Sequence, residues 1–392
     1  MIDVTALRAD TPGVEEVIHF NNAGSALMPL PVIDTILGYL EIEVRRGGYE
    51  TREAFAAEID EVYGSIGTLV NARPDEIALA DNATRAWDMA FYGLGLGPGD
   101  RILTTSTEYV SNWAAYLHMR DSRGVSVEVV PDTPAGEIDT DALEQRIDDS
   151  VKLITLNHVP TNSGLVNPAA DVGVVARRHG VPFLLDACQS VGQLPVDVDA
   201  IGCDMLTATS RKFLRGPRGQ GFLYVRDTML DRLSPPFVET ESVSMVSPDR
   251  YALHHSARRF ETWEKNYANV LGLGAAVAYA LEIGVDAIWA RIQVLAGSLR
   301  KGLGSIDGVT MRDLGTVQGG IVTLDVAGRT TAEVKAALRD ATINVSTSRS
   351  TSSPVDMHRR GLDGLVRASV HAYNDEDEID RFLGVVAELA RP

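Results

Sequence analysis

Cysteine and basic residues are scarce in this sequence, and each scarcity excludes a class of protein. The chain has two cysteines, Cys188 and Cys203, in 392 residues. Two cysteines cannot build a disulfide framework, and their spacing matches no zinc site. Lys and Arg number 36 against 54 Asp and Glu, which gives a net charge of −18. Because such an acidic chain repels phosphate backbones and anionic lipid, we expect neither nucleic acid nor a membrane surface as a partner.

The sequence also shows no long apolar run, and we expect no leader sequence. No apolar run approaches the roughly 18 residues needed to cross a bilayer. Residues 1–16 are acidic and lack the basic and apolar regions of a signal peptide. What is present is an ordinary globular composition, 45% hydrophobic and 23% charged, in a chain long enough for two domains. We therefore expect a cytoplasmic globular protein whose cysteines stay reduced.

Strand-like apolar segments alternate with amphipathic helical segments in the first two thirds of the chain. The predicted strands cover residues 101–106, 125–130, 151–157, 182–186, 205–208 and 221–225. The predicted helices between them cover residues 111–122, 139–148 and 168–179. This alternation predicts a mainly parallel sheet covered on both faces, with ligands bound at the carboxyl ends of its strands.

The pattern changes after about residue 263. Residues 268–303 read as one long helical region, rich in Ala and Leu. Predicted strands then follow at 309–314, 319–326, 343–346 and 365–370, with helices at 331–340 and 375–390. We predict a large domain at residues 20–262, and a smaller α+β domain built from 263–392 and an N-terminal arm, 1–19.

Two charged residues follow predicted strands of the same sheet. Asp186 ends an apolar strand, where a carboxylate either caps a helix or pairs with the protonated ring nitrogen of pyridoxal 5′-phosphate (PLP). Lys212 follows the next strand, where a Schiff-base lysine would be placed. Thr209, Ser210 and Arg211 beside it offer hydroxyls and a guanidinium that suit a phosphate. Together they point towards a PLP site.

Two further polar features have both a structural and a functional interpretation. Residues 81–87, Asp-Asn-Ala-Thr-Arg-Ala-Trp, precede a helical stretch whose first amides either bind a phosphate or receive an ordinary cap. Arg367 lies in an otherwise apolar strand. It forms either a structural salt bridge or a bidentate contact with a substrate carboxylate. The sequence leaves both pairs of alternatives open.

In register, these motifs resemble the class V aminotransferases of PLP fold type I, a family that includes cysteine desulfurases, selenocysteine lyases and isopenicillin N epimerases. The resemblance runs from residues 20–24 to residues 367–374. Its most specific parts are Asp-Ala-Cys-Gln at 186–189, Ser-Arg-Lys at 210–212 and Gly-Pro-Arg-Gly at 216–219. It implies an α/β large domain with a mainly parallel seven-stranded sheet, a smaller α+β domain, PLP as the cofactor, an amino-acid substrate and a homodimer with shared active sites.

The resemblance also implies a role for each matching residue. Lys212 would form the Schiff base and move protons at Cα, while Asp186 would bind the pyridinium nitrogen. Gln189 would bond the phenolic oxygen, Tyr109 would stack on the ring, and Thr262 would reach the phosphate of a neighbouring subunit. The other predicted cofactor contacts are Ala83, Thr84, Asn162, Thr209 and Arg211, with Asn162 placed to within one residue. The predicted substrate contacts are Arg367 and Asn22.

Residues 346–356, Ser-Thr-Ser-Arg-Ser-Thr-Ser-Ser-Pro-Val-Asp, match the loop on which cysteine desulfurases carry their nucleophilic thiol. They contain no cysteine, and neither Cys188 nor Cys203 fits that role. We therefore expect no persulfide-forming desulfurase activity. Residues 210–219 resemble C–S lyases of ergothioneine-type pathways and PLP enzymes of lincosamide pathways. The resemblance favours β C–S cleavage of a cysteine S-conjugate in secondary metabolism.

Other outcomes stay open because they begin with the same deprotonation at Cα. Reprotonation at C4′ of the cofactor would give an aminotransferase, and reprotonation at the opposite face of Cα would give an epimerase. A decarboxylating or oxidative deaminase also fits the family. A catalytically inactive binding protein is the non-enzyme alternative, and the intact Lys212 argues against it.

Overall fold

The structure is a computed structural model that describes residues 2–391. Its strands are β1 (Ile18–His19), β2 (Ile77–Ala80), β3 (Arg101–Thr104), β4 (Ser126–Val129), β5 (Val151–Asn157), β6 (Phe183–Asp186), β7 (Met205–Thr209), β8 (Gly221–Val225), β9 (Val243–Ser247), β10 (Arg250–Leu253), β11 (Val309–Met311), β12 (Ile321–Val326), β13 (Ile343–Asn344), β14 (Ser346–Arg349) and β15 (Gly364–Ser369). Its α-helices are α1 (Val4–Ala9), α2 (Asn22–Ser25), α3 (Leu30–Arg46), α4 (Gly48–Ala54), α5 (Ala56–Val70), α6 (Ala83–Gly93), α7 (Val110–Arg123), α8 (Thr140–Glu144), α9 (Ala169–His179), α10 (Val198–Ile201), α11 (Tyr267–Ile283), α12 (Val285–Gly304), α13 (Thr331–Asp340), α14 (Pro354–Arg359) and α15 (Glu376–Leu389).

The largest sheet has seven strands in the order β2-β8-β7-β6-β5-β3-β4. Strand β8 is antiparallel to both of its neighbours, and the other pairs are parallel. Side chains alternate between the two faces: Leu184 packs in the core cluster that includes α6 and α7, while Phe183 and Leu185 pack in the larger cluster on the opposite face. Burial of both faces explains why these strands are nearly continuous apolar runs. The mainly parallel seven-stranded sheet is as predicted.

The direction of the strands determines where a site can form. Strands β5, β6 and β7 run parallel and end at Asn157, Asp186 and Thr209. Their carboxyl ends therefore lie at one edge of the sheet, where open α/β folds bind ligands. Lys212 follows β7 directly and lies at the same edge.

The C-terminal part of the chain forms a second sheet. It is antiparallel, with the strand order β11-β12-β15-β14. The N-terminal strand β1 pairs with β13, which joins residues 18–19 to this part of the molecule. The helix α11 packs instead against α3 and α5 of the N-terminal half. The division of the chain at residues 20–262 stays a prediction.

The helical region predicted at 268–303 is two helices rather than one. The axes of α11 and α12 are bent by 77° at Gly284, whose φ is +87°. The apolar periodicity continues through this glycine, so the pattern alone does not reveal the bend. The prediction also missed β2, and it joined β13 and β14 into one strand at 343–346.

We expect Gly284→Ala to lower the free energy of unfolding by about 1–2 kcal/mol, because an L side chain is strained at this positive φ. Urea denaturation at neutral pH measures the effect. The matched control is Gly297→Ala, inside α12, where an added Cβ meets no atom within 4 Å. That change should stabilise the protein by up to about 1 kcal/mol. Equal effects of the two changes would contradict the prediction.

One helical stretch bears on the expectation that no apolar run is long enough to cross a bilayer. Within residues 2–391, Asn22–Arg46 is long and apolar enough to cross a membrane by length and composition, with a mean hydropathy of 1.3; α11 and α12 pass the same test only as a bent pair. Core helices pass this test too, so it is weak evidence for a span. Helix α3 packs against α11, and 28% of the apolar window is buried in the single chain.

Candidate active site

A cavity of about 370 Å³ lies at the carboxyl edge of the seven-stranded sheet. Its volume is in the range of small-molecule sites. Eight of the predicted cofactor contacts line it: Ala83, Thr84, Tyr109, Asp186, Gln189, Thr209, Arg211 and Lys212. The structure therefore brings together residues that are separated by more than a hundred positions in the sequence.

Asp186 is buried in this cavity, and three donors hold its carboxylate. Asn157 Nδ2 and Asn112 Nδ2 donate to Oδ2 over 2.7 and 3.1 Å, and the amide of Cys188 donates to Oδ1 over 3.0 Å. All three groups are donors, so both carboxylate oxygens act as hydrogen-bond acceptors. The next α-helix, α10, begins only at Val198, so helix capping does not explain Asp186. Its position suits a partner for a protonated ring nitrogen.

Lys212 lies in the same cavity. Burial lowers the pKa of its ammonium group to about 8; Arg211 also lowers the pKa, while Cys188 and Asp186 raise it. A lysine with this pKa has an appreciable neutral fraction near neutral pH, which Schiff-base formation and proton transfer both require.

The start of α6 and the end of β7 form a cradle for an anion. Asn82 caps α6 by accepting a hydrogen bond from the amide of Arg85 over 2.9 Å. The amides of Ala83 and Thr84 have no partner within the helix, because the first turn of any helix leaves its donors free. Close by, an added Cβ on Gly221 would lie 3.0 Å from the Ala83 nitrogen. Only glycine allows β8 to approach the helix start this closely.

Arg211 completes the cradle by donating from NH1 to Thr209 Oγ1 over 3.1 Å. At the side of the cavity, Gln189 donates from Nε2 to the carbonyl of Ala23 over 3.1 Å. One N–H of this amide remains for the phenolic oxygen. An anion cradle, a carboxylate and a lysine in one cavity fit the phosphate, ring nitrogen and aldehyde of PLP.

Arg367 is buried beside the cavity without an acidic partner. Its NH1 donates to the carbonyl and the hydroxyl of Thr161 over 3.2 and 2.5 Å, and its Nε has no partner among residues 2–391. Burial lowers the pKa of the guanidinium to about 10, so the group stays charged near neutral pH. No Asp or Glu within the described chain forms a salt bridge with it. This favours the substrate-carboxylate interpretation over a structural ion pair.

Like Arg367, two other buried residues among the predicted contacts lie outside the cavity lining. Asn162 is buried but does not line the cavity; its neighbour Thr161 does, and Thr161 bonds to Arg367. The family resemblance places this contact only to within one residue, which explains why Thr161 and not Asn162 lines the cavity. Asn22 is fully buried away from the cavity, where it donates to the carbonyl of Ser369 over 2.7 Å and accepts from Tyr373 over 2.5 Å. Its amide ties the N-terminal segment to β15 and is not free for a substrate.

Thr262 also lies outside the cavity lining. Its predicted partner is the phosphate of a neighbouring subunit, so its place in a single chain leaves the prediction open. Sequence reasoning missed Asn112 and Asn157, which orient Asp186. Asn157 ends a predicted strand, and this position was the available signal.

Glu108 is a third residue that sequence reasoning missed. It is buried beside Asn112, and its Oε2 accepts from the hydroxyl of Tyr116 over 3.0 Å. Burial, together with the charge of Asp186, raises the pKa of Glu108 to about 8. The protonated form therefore predominates at neutral pH, so that a second negative charge beside Asp186 is avoided.

We expect Glu108→Gln to remove a pH dependence of stability. In the wild type the folded pKa is above the unfolded value, so the stability contributed by protonated Glu108 is complete below about pH 4.5 and is lost as the pH rises to about 8. As the pH rises from 4.5 to 7, the free energy of unfolding of the wild type should fall by about 3 kcal/mol relative to that of the variant, at 1.36 kcal/mol per pKa unit. Urea denaturation of the cofactor-free proteins measures this, and parallel pH profiles would contradict it.

These features define the site of a PLP-dependent enzyme of fold type I. The chain belongs to the class V aminotransferase family: the model described as "Aminotransferase class-V" matches residues 18–382. The fold type and PLP as the cofactor are thereby confirmed.

Individual proteins and solved structures are also similar to this chain. The probable cysteine desulfurase of Pyrococcus abyssi is 30% identical over 98% of this chain and 97% of its own length. A solved cysteine desulfurase from Thermococcus onnurineus is 29% identical, has a TM-score of 0.92, and the match covers 100% of this chain and 98% of that one. The cystine C–S lyase C-DES, 24% identical with a TM-score of 0.87 over 96% of this chain and 99% of its own, shares the fold.

The relatives contradict two expectations. Cysteine S-conjugate lyase activity and the exclusion of a persulfide-forming desulfurase are both wrong, because the relatives that match the chain almost from end to end are named cysteine desulfurases. The error lay in reading a reaction class from residues 346–356. A missing loop thiol concerns the group that takes up the sulfur, whereas the bond that breaks is determined at the PLP site.

Proposed function

We propose that this protein is a PLP-dependent cysteine desulfurase, which breaks the Cβ–Sγ bond of L-cysteine and releases alanine and persulfide sulfur. The observation that carries the proposal is the presence of Lys212 and Asp186 in one cavity, with Arg367 bonded to Thr161 of the cavity lining, in a chain of desulfurase-like fold. The names of the relatives support the choice of substrate.

Arg367 would hold the substrate in place. Its guanidinium is charged, buried and without an acidic partner in the described chain, so a carboxylate is the ligand it best accepts. The carbonyl and hydroxyl of Thr161 keep NH1 in a fixed direction. An amino acid bound through its carboxylate would present its Cα towards Lys212.

Lys212 would move protons. Its neutral fraction, a consequence of burial, can accept the Cα proton and return a proton during the release of alanine. PLP, when bound, supplies an electron sink for the negative charge that develops at Cα. Asp186 would keep the ring nitrogen of the cofactor protonated, held for this task by Asn112 and Asn157.

The test is a product analysis of the holoenzyme with L-cysteine and a reducing thiol. We expect alanine and sulfide in equal amounts, identified by mass spectrometry and a sulfide assay. Pyruvate and ammonia without alanine would contradict a desulfurase. A PLP form that needs a keto acid to recover would indicate an aminotransferase instead.

We also propose a homodimer in the cytoplasm. Leu37, Val44 and Tyr49, on α3 and α4, form an exposed apolar surface with exposed fractions of 59%, 87% and 72%. Exposed apolar patches of this kind are typical of subunit interfaces. A second cavity links this surface to Asp81 at the rim of the PLP site. Sedimentation should give a dimer, and a monomer at all concentrations would exclude it.

A further inference from the structure

The desulfurase reaction needs a thiol to take up the sulfur, and the chain has only two candidates. Cys203 is fully buried and precedes β7 at its amino end, at the edge of the sheet opposite the cavity. A substrate in the cavity is therefore separated from Cys203 by the length of the strand. Cys203 is too far away and too enclosed to be the acceptor.

Cys188 lines the cavity but is poorly suited to the task. Its amide is bonded to Asp186, and its thiol lies against the same carboxylate. Burial and the charge of Asp186 raise the pKa of this thiol well above its ordinary value. The thiolate is the nucleophile in sulfur chemistry, and a raised pKa lowers the thiolate fraction of Cys188. It also lies at the Asp186 end of the cavity, whereas Arg367 would hold the substrate.

The segment that could bring a side chain to the cavity carries hydroxyls only. It links β14 to α14 through Ser350, Thr351, Ser352 and Ser353. The carbonyl of Ser352 accepts from the amide of Val110 over 3.2 Å, and the hydroxyl of Ser353 donates to the carbonyl of Glu108 over 2.9 Å. The segment is thus fastened beside Tyr109. A hydroxyl ionises far less readily than a thiol and does not replace the thiolate as a sulfur acceptor.

We propose that the sulfur acceptor is a low-molecular-weight thiol, which enters the cavity as a second substrate. The inference rests on the proposed function. The incoming thiolate sulfur bonds to Sγ of the substrate while the Cβ–Sγ bond breaks; Cβ keeps the electron pair and takes a proton. L-Cysteine and RSH thus become L-alanine and RSSH. The carbon is reduced and the two sulfurs are oxidised, so no further oxidant or reductant is needed.

Entry from solvent is open on the side of Tyr109 and Arg218, which both line the cavity and are exposed. A small thiol would enter from this side, past these two exposed side chains. With excess L-cysteine, a second cysteine molecule can itself be the acceptor.

A single-turnover experiment tests the proposal. Holoenzyme in excess over L-cysteine is mixed with glutathione, or with S-methylglutathione as the control that lacks the thiol. We expect alanine to form with glutathione and to stay at background with the control. Mass spectrometry after alkylation should find the sulfur on glutathione and none added to the protein. Stoichiometric alanine without glutathione, with an additional sulfur on the peptide of Cys188, would overturn the proposal.

Two variants sharpen the result. Cys203→Ser should behave like the wild type, and Cys188→Ser should still require glutathione and still give the persulfide of glutathione. Loss of thiol dependence in Cys188→Ser, or no rise in alanine with either glutathione or dithiothreitol, would refute the small-thiol acceptor. A different outcome, no alanine even with a large excess of L-cysteine, would refute the desulfurase function on which the inference rests.

Discussion

Lys212→Ala is expected to reduce alanine formation from L-cysteine by about 10²–10⁴-fold or more, the range supplied by a positioned acid–base group. Its neighbours Asp186 and Arg211 offer no replacement: the first is held as a hydrogen-bond acceptor and the second is a strong cation. The variant should still bind PLP through the anion cradle at α6. Steady-state kinetics and the visible spectrum of the reconstituted protein measure both effects.

The matched control for this variant is Lys335→Ala, an exposed lysine on α13. It should keep wild-type activity and spectrum. Borohydride should fix PLP to the peptide of Lys212 in the wild type and in the control, but not in the variant. Wild-type turnover by Lys212→Ala would exclude the lysine as the proton-transfer group.

Arg367→Met is expected to lower kcat/KM for L-cysteine by about 30- to 4,000-fold, since truncating one partner of a buried charge pair costs about 2–5 kcal/mol and 1.4 kcal/mol is tenfold. The same change should leave the free energy of unfolding unchanged or higher. The guanidinium is buried without an acidic partner in the described chain, and an apolar side chain of similar length removes that desolvation cost.

Kinetics and urea denaturation, measured on the same preparations, separate the two roles of Arg367. Arg359→Met is the control, because Arg359 is half exposed. Its ion pair is at the surface, with 3.4 Å between NH1 and Asp132 Oδ2. It should change neither quantity by much. A large loss of stability in Arg367→Met would indicate a structural role and contradict carboxylate binding.

Much of the site was predictable because its chemistry follows from positions at strand ends. Asp186 and Lys212 each follow a short apolar strand, and parallel strands place such residues at one edge of the sheet. The helix start at Ala83 was readable from the small and hydroxyl residues in the first turn of α6. These signals are local, so the sequence carries them without knowledge of the fold.

The reaction class was not predictable from one loop. The absence of cysteine at 346–356 predicts no desulfurase activity, and the relatives contradict that prediction. The loop is local, but in the proposed function the reaction depends on how Arg367 and Lys212 would hold a substrate and on what else would enter the cavity. The sequence does not contain the second substrate.

By itself, the sequence determined the alternating α/β pattern, the strand-end Asp186 and Lys212, and the arginine at 367. It did so because hydrophobic periodicity and strand termini are local properties. Only the tertiary structure decided that Asn112 and Asn157 meet at Asp186, that Thr161 rather than Asn162 faces Arg367, and that Glu108 lies protonated beside them. Such contacts join residues far apart in the chain, and their geometry and electrostatics exist only once the strands are packed side by side.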